Sequence, residues 1–278
     1  MRYSTTLCAA LALVACMTAQ ADTAAATDAL TVTLVSAQPA LTPGRGATLG
    51  LRLAHAPGWH TYWINPGDSG LPTRVSWTLP PGFKAGDIAW PAPRRFTVDG
   101  LANFGYDGDV LLPVALDVPA NARPGDAVRI GVAVKWLVCH EECVPGAATL
   151  ALVLPVGTAT PEADAAFAAA RADAPEGGAW KSVARDLGDR IEVEVRGADL
   201  GNGARLDAFA EQPKVIANAP PQVSVRSGVP RLLFMKSEYF TSAPKALDLV
   251  ITRPQTRAIR VHAAFIPHDA ARSVPTQP

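Results

Sequence analysis

The sequence predicts an all-β protein, a β-sandwich followed by a second β-rich domain, with a short helix linking them. Three observations predict it. Apolar residues recur with period two in segment after segment. Pro, Gly, Asn and Asp interrupt those segments at short intervals, and a single Ala-rich stretch in the middle breaks the alternation. Side chains alternate between the two faces of a strand, so period two marks a strand buried on one side. Many short strands with turn signals between them mark a sandwich.

The chain of 278 residues opens with MRYSTTLCAALALVACMTAQAD, which carries one early Arg, an apolar stretch over 7–16 and the small-residue triplet Ala19-Gln20-Ala21. These are the parts of a secretory leader, and residues 1–21 are expected to leave by cleavage after Ala21. Leu13-Val14-Ala15-Cys16 also reads as a bacterial lipobox, which would instead lipidate Cys16 and anchor the protein. The leader is too short to span a bilayer, and no later stretch reaches about 18 uninterrupted apolar residues, so no transmembrane segment is expected in the mature chain.

The first domain is read over 22–157. Leu30, Val32 and Leu34 alternate, then Leu49, Leu51 and Leu53 after the turn-rich PALTPGRG; further strands are expected at 59–64, 74–79, 110–118, 128–138 and 149–154. In the linker, 158–178, Thr160 as N-cap and Pro161 at the first helical position start a helix that the turn residues at 175–178 end. Alternation returns in a second domain, 179–267, with Ile191, Val193 and Val195 and then ALDLVI and AIRVHAAFI, and a loose tail is expected over 268–278.

Lys+Arg and Asp+Glu balance at 25 each, so no net field draws the chain to nucleic acid or to an acidic membrane surface. With 49% hydrophobic residues it can bury one or two cores, and its length suits two domains of roughly 120 residues. Five of the six tryptophans (Trp59, Trp63, Trp77, Trp90, Trp136) precede residue 140, in the half that carries KWLVCHEECVPG.

Once the leader is gone, Cys139 and Cys143 are the remaining thiols, and an exported chain meets an oxidising compartment in which they will pair. Three uses of that pair compete. As a staple it constrains little: so short a loop is worth about 2 kcal/mol, against about 3 for a 15-residue loop. Strand parity also argues against a staple, because Val128, Ile130, Val132, Val134, Trp136 and Val138 share the apolar face while Cys139 falls on the face of Arg129 and Lys135. A metal clip needs three or four ligands. Only His140 stands near; His55, His60, His262 and His268 are scattered, and neither metal nor cofactor is expected. Dithiol exchange needs an attackable sulfur and a neighbour to resolve the mixed disulfide, which C-x-x-x-C supplies. Glu141 and Glu142 oppose thiolate formation, whereas a cationic His140 or Lys135 favours it.

The surroundings add a resemblance. PGWHTYWINPGDSGLPT (57–73), FGYDGDVLLPV (104–114) and VKWLVCHEECVPG (134–146), in that order, resemble the periplasmic N-terminal domain of the DsbD thiol:disulfide interchange family, in particular its ScsB-like branch; GNGARLDAFAEQPKVI and RLLFMKSEYF continue the likeness. The resemblance implies an immunoglobulin-like sandwich in the periplasm. Its cysteine pair, Cys139 and Cys143, would take electrons from a transmembrane thiol donor protein and pass them to periplasmic thioredoxin-fold or peroxiredoxin-like acceptors, as a protein-disulfide reductase component. We expect Cys143 to be the nucleophile. An aromatic cap loop shields the pair in that family; the segment 96–106 occupies the comparable place, making Phe96, Phe104 and Tyr106 candidates for shield or wall. Better-known members space their cysteines further apart and continue into a multi-helix membrane domain and a thioredoxin domain. Here the sequence stops at Pro278, as either a stand-alone version or a fragment, and a separate electron donor would then be needed.

Trp59, His60, Tyr62, Trp63 and Trp136 are candidates for docking or for packing. Asp68 reads either as a turn former or as an orienting group. Glu211 and Glu238 read as solvated surface, and SGVPRLLFMKSEYF as core or docking strand. No phosphate-cradling loop or nucleophile elbow appears. The competing function is a non-catalytic binding or assembly module with a structural disulfide.

Overall fold

The computed structural model describes residues 22–158, 165–200 and 206–268; the leader with Cys8 and Cys16, the helix start at Thr160 and Pro161, and 269–278 of the tail lie outside the described residues. The first unit comprises β1 (Ala24–Ala26), β2 (Leu30–Ser36), β3 (Gly46–His55), β4 (His60–Gly67), β5 (Arg74–Thr78), β6 (Lys84–Ile88), β7 (Arg94–Val98), β8 (Leu101–Asp107), β9 (Asp109–Asp117), β10 (Ala127–Cys139) and β11 (Cys143–Pro155). After α1 (Ala165–Asp173) come β12 (Glu176–Gly177), β13 (Lys181–Asp186), β14 (Arg190–Arg196), β15 (Asp207–Ala210), β16 (Gln222–Arg226), β17 (Val229–Met235), β18 (Ala246–Arg253) and β19 (Thr256–Ile266). The protein is all-β, with α1 as the one helix among the described residues.

Two sheets form the first unit, ordered β1-β2-β3-β9-β6 and β11-β10-β4-β8-β7, with β5 added beside β10. Their inner faces interleave. Leu30, Val32, Leu51, Leu53 and Leu112 of one sheet pack on Trp63, Val132, Val134 and Trp136 of the other, as period-two burial requires. The β10–β11 hairpin pairs without a register break from Ala127 opposite Pro155 to Cys139 opposite Cys143. All six residues of its apolar row, from Val128 to Val138, are buried.

The second unit is one mixed sheet, ordered β15-β18-β19-β13-β14-β17-β16 with β12 beside β19. Ile191, Val193 and Val195 of β14 and Leu232 and Phe234 of β17 lie in its core, while Met235 at the end of the RLLFM stretch is exposed. Glu211 departs from the expectation of a solvated residue. It pairs with Arg260 at 2.9 Å, and burial raises its carboxyl above the usual range despite that partner. The helix α1 lies against the first unit, with Phe167 and Ala170 packed on Ala37 and Leu111. It ends at Asp173, ahead of the 175–178 turn residues.

The segment 96–106, the candidate for a shielding cap, forms most of the β7–β8 hairpin. Asp99 and Gly100 form its two-residue turn with φ of 51° and 80°. Two successive positive φ values suit the right-handed twist of the flanking strands, which is why Asp-Gly favours a hairpin.

Candidate functional site

Cys139 and Cys143 close the last pair of the β10–β11 ladder and are joined by a disulfide, with Cα atoms 4.1 Å apart. His140, Glu141 and Glu142 form the exposed tip, turned by a bond from the His140 N–H to the Glu142 carbonyl at 3.1 Å. The two sulfur-bearing residues differ in access. Cys139 is 2% exposed; Cys143 lies open to solvent. Parity puts Cys139 on the face away from Val138, as expected, yet that face is covered here as well.

The cover comes from β4, whose His60 pairs with Cys139 in register. Tyr62, two residues along and on the same face, donates its hydroxyl to Cys139 Sγ at 2.9 Å and stands 3.8 Å from Cys143 Sγ. The loop after β4 folds over Tyr62, Pro72 bridging back to it. Gly70, at φ +97°, lies so close that an added Cβ would fall 2.1 Å from the Tyr62 ring. His60 meets Tyr62 edge-on at 5.3 Å and stacks under Phe96 at 4.8 Å. A layer Phe96–His60–Tyr62 thus leads from the β7 edge to the inner sulfur.

Burial sets the protonation of this layer. Desolvation raises the Tyr62 phenol above its ordinary value, so the hydroxyl keeps its proton and remains a donor. Desolvation first, and then neighbouring His55, hold His60 below its usual value, so its ring is neutral at pH 7. Its buried Nε2 has no hydrogen-bond partner among the described residues. A groove of about 640 Å³ runs beside the site, lined by Gly58, His60, Phe96, Val98, His140 and Glu141.

The other candidates lie elsewhere. Phe104 and Trp136 are in the sandwich core with Trp63; Tyr106 is there too, its hydroxyl donating to the Pro91 carbonyl at 2.8 Å. Trp59 stays half-buried, 5.8 Å from the His140 ring. Asp68 acts as a turn anchor, accepting from the Ala102 N–H at 2.7 Å and from Asn218 Nδ2 at 2.8 Å. Arg95, Asn65 and Asn218 were not singled out in the sequence, and each ties this region to the second unit. Arg95 forks onto Asp207 at 2.9 and 2.6 Å, and Asn65 Nδ2 donates to the Ala210 carbonyl at 2.8 Å. No sequence signal pairs residues more than a hundred positions apart. Among the described residues, no group of three or more His, Cys, Asp or Glu is arranged to hold a metal ion.

A disulfide thus closes the hairpin tip, with Cys143 exposed and Cys139 buried beneath a tyrosine. The N-terminal family of the thiol:disulfide interchange protein DsbD matches residues 29–155. Residues 29–155 are a DsbD N-terminal-like domain. The N-terminal periplasmic domain of ScsB from Proteus mirabilis is similar in structure, with a TM-score of 0.66 and 20% identity, over 88% of this chain and 98% of that one. At that identity the likeness speaks for the fold, and it extends past the DsbD-like sandwich into the second unit. A protein of unknown function from Porphyromonas gingivalis W83 aligns over 84% of this chain and 98% of its own, at 16% identity and a TM-score of 0.24. Among curated proteins none matches. No described helix is long and apolar enough to cross a membrane.

Proposed function

We propose that the DsbD-like domain carries out thiol–disulfide exchange in the periplasm through Cys139 and Cys143. It takes reducing equivalents from a transmembrane thiol donor protein and passes them to thioredoxin-fold or peroxiredoxin-like proteins. The observation that carries this reading is the unequal exposure of the two disulfide-bonded residues, Cys143 exposed and Cys139 buried with its Sγ on the Tyr62 hydroxyl.

The chemistry follows from that inequality. A donor thiolate attacks Cys143 Sγ, the S–S bond breaks, and Cys139 Sγ leaves with the electron pair as a thiolate that accepts the Tyr62 hydrogen bond. The donor's second thiolate then attacks its own sulfur in the mixed disulfide and releases Cys143 as a thiolate. Two electrons and, after protonation from solvent, two protons have moved; the donor is oxidised to a disulfide and this pair reduced to a dithiol. Delivery runs in reverse, with Cys143 attacking the acceptor disulfide and Cys139 resolving. As a staple the bond would add little, for it closes the end of a ladder already paired over thirteen positions.

Single-cysteine variants test the reading. Cys139→Ser keeps the thiol of the exposed residue and is expected to trap a mixed disulfide with a periplasmic thioredoxin-fold protein, whereas Cys143→Ser traps none. The pair's reduction potential is expected above about −300 mV, the region of inert structural bridges. If neither variant captures a partner and glutathione leaves the bond intact, the protein is a binding or assembly module with a structural disulfide.

A further inference from the structure

We propose that the second unit braces the cover of the redox site, with Arg95, Asp207, Asn218 and Asp68 as positioning residues that govern how readily Phe96 and the 67–72 loop uncover Tyr62 and the sulfurs. This deepens the exchange reading and rests on it.

The starting point is parity. Arg95 and Phe96 are consecutive in β7 and so project to opposite faces. Phe96 lies on His60, over the sulfur side. Arg95 faces the second unit, where its Nε and Nη2 fork onto the Asp207 carboxylate at 2.9 and 2.6 Å and Nη1 donates to the Asn218 carbonyl. Its guanidinium also lies 4.8 Å from the Phe104 ring centroid and 5.2 Å from that of Phe209. With side chains 15% and 26% exposed, Arg95 and Asp207 are poorly screened, and a bidentate fork fixes orientation as well as distance. Gripping Arg95 therefore fixes the strand that carries Phe96.

The strand needs that grip, because β7 is the sheet edge. Its neighbour β8 pairs with β4 at His60, Thr61 and Tyr62 and next at Gly67, with a register shift between. Beyond that break the hairpin tip is held sideways by the 67–72 loop, through Asp68 on Ala102 and through the Ser69 N–H and hydroxyl, which donate to Asn103 Oδ1 at 3.3 and 2.8 Å. The second unit reaches this loop too, since Asn218 Nδ2 donates to Asp68 Oδ1 at 2.8 Å. One short segment of the second unit thus touches both halves of the cover, Asn218 through its carbonyl on Arg95 and through its amide on Asp68.

The test is the rate at which dithiothreitol reduces the disulfide in the full chain, followed by the change in tryptophan fluorescence. Arg95→Met and Asp207→Asn are each expected to raise it about fivefold, the shift in a cover equilibrium that loss of one partly buried ion pair gives. Phe96→Ala is expected to do the same. Adding Asp207→Asn to Phe96→Ala should bring no further gain, because the brace acts through the ring it holds; a merely structural role would lower thermal stability in every background and leave that non-additivity absent. Unchanged rates in both single variants, or rates that multiply in the double variant, overturn the proposal. Because a small reductant reports access to the bond whether or not a protein partner is engaged, failure here is separable from failure of the trapping experiment.

Discussion

At the residue scale the site turns on one hydroxyl. In the proposed exchange, Tyr62 donates to the sulfur that leaves when Cys143 is attacked. A hydrogen bond to a disulfide sulfur is weak, but the same bond to a departing thiolate is charge-assisted and worth about 1.5–3 kcal/mol. Only the part gained between ground and transition state speeds the reaction. Tyr62→Phe retains the ring that Gly70 and His60 pack against and removes the donor alone. Reduction by dithiothreitol is expected to slow about tenfold, corresponding to about 1.4 kcal/mol, and the thiol pKa of Cys139 in the reduced protein to rise. Equal rates for wild type and variant would mean the hydroxyl only packs. The residue type was legible in PGWHTYWINPG, but its direction was not. A strand residue points to one of two faces, and which of them meets Cys139 depends on β4 lying beside β10, a pairing of segments about 77 positions apart.

At the scale of elements, the seam between β4 and β8 holds the site together. Gly105 of β8 sits opposite Tyr62, and a Cβ there would fall 1.8 Å from the Thr61 carbonyl oxygen. The obstacle is backbone, so no side chain can swing aside; the strands must part. Gly105→Ala is expected to cost about 3 kcal/mol, the upper end for overpacking, measured by urea unfolding, and to loosen the Tyr62 contact with Cys139. A cost below about 0.5 kcal/mol, the range of neutral surface changes, would contradict so tight a seam. This scale also marks where sequence reading did best and worst. The strands with unbroken alternation, such as Val128 to Val138, lie where period two puts them. In the β7–β8 hairpin Phe96 and Val98, then Ala102, Phe104 and Tyr106, do recur with period two and Asp99-Gly100 marks the turn, whereas the burial of β8 runs unbroken over Asn103–Tyr106, which no alternation foretells.

At the scale of the whole molecule, the two units share a core as well as a polar brace. Phe209, Val250 and Ala258 of the second unit belong to the same apolar cluster as Trp63, Phe104 and Trp136 of the first. Phe209 is 2% exposed, edge-on to Phe104 at 5.0 Å and to Trp63 at 6.3 Å. Nothing in the sequence pairs these rings, since packing between separate sheets leaves no periodic trace. Units joined by a buried aromatic cluster unfold together when the contact is worth a large part of either one's stability. Truncating a buried Phe typically costs about 3–5 kcal/mol. Phe209→Ala is therefore expected to lower the urea midpoint read by tryptophan fluorescence, although five of the six tryptophans lie in the other unit. In wild type the fluorescence and far-ultraviolet circular dichroism transitions should coincide. If the variant moves only the circular dichroism transition, the units fold independently, and the grip on Arg95 would then have to hold between two bodies free to part.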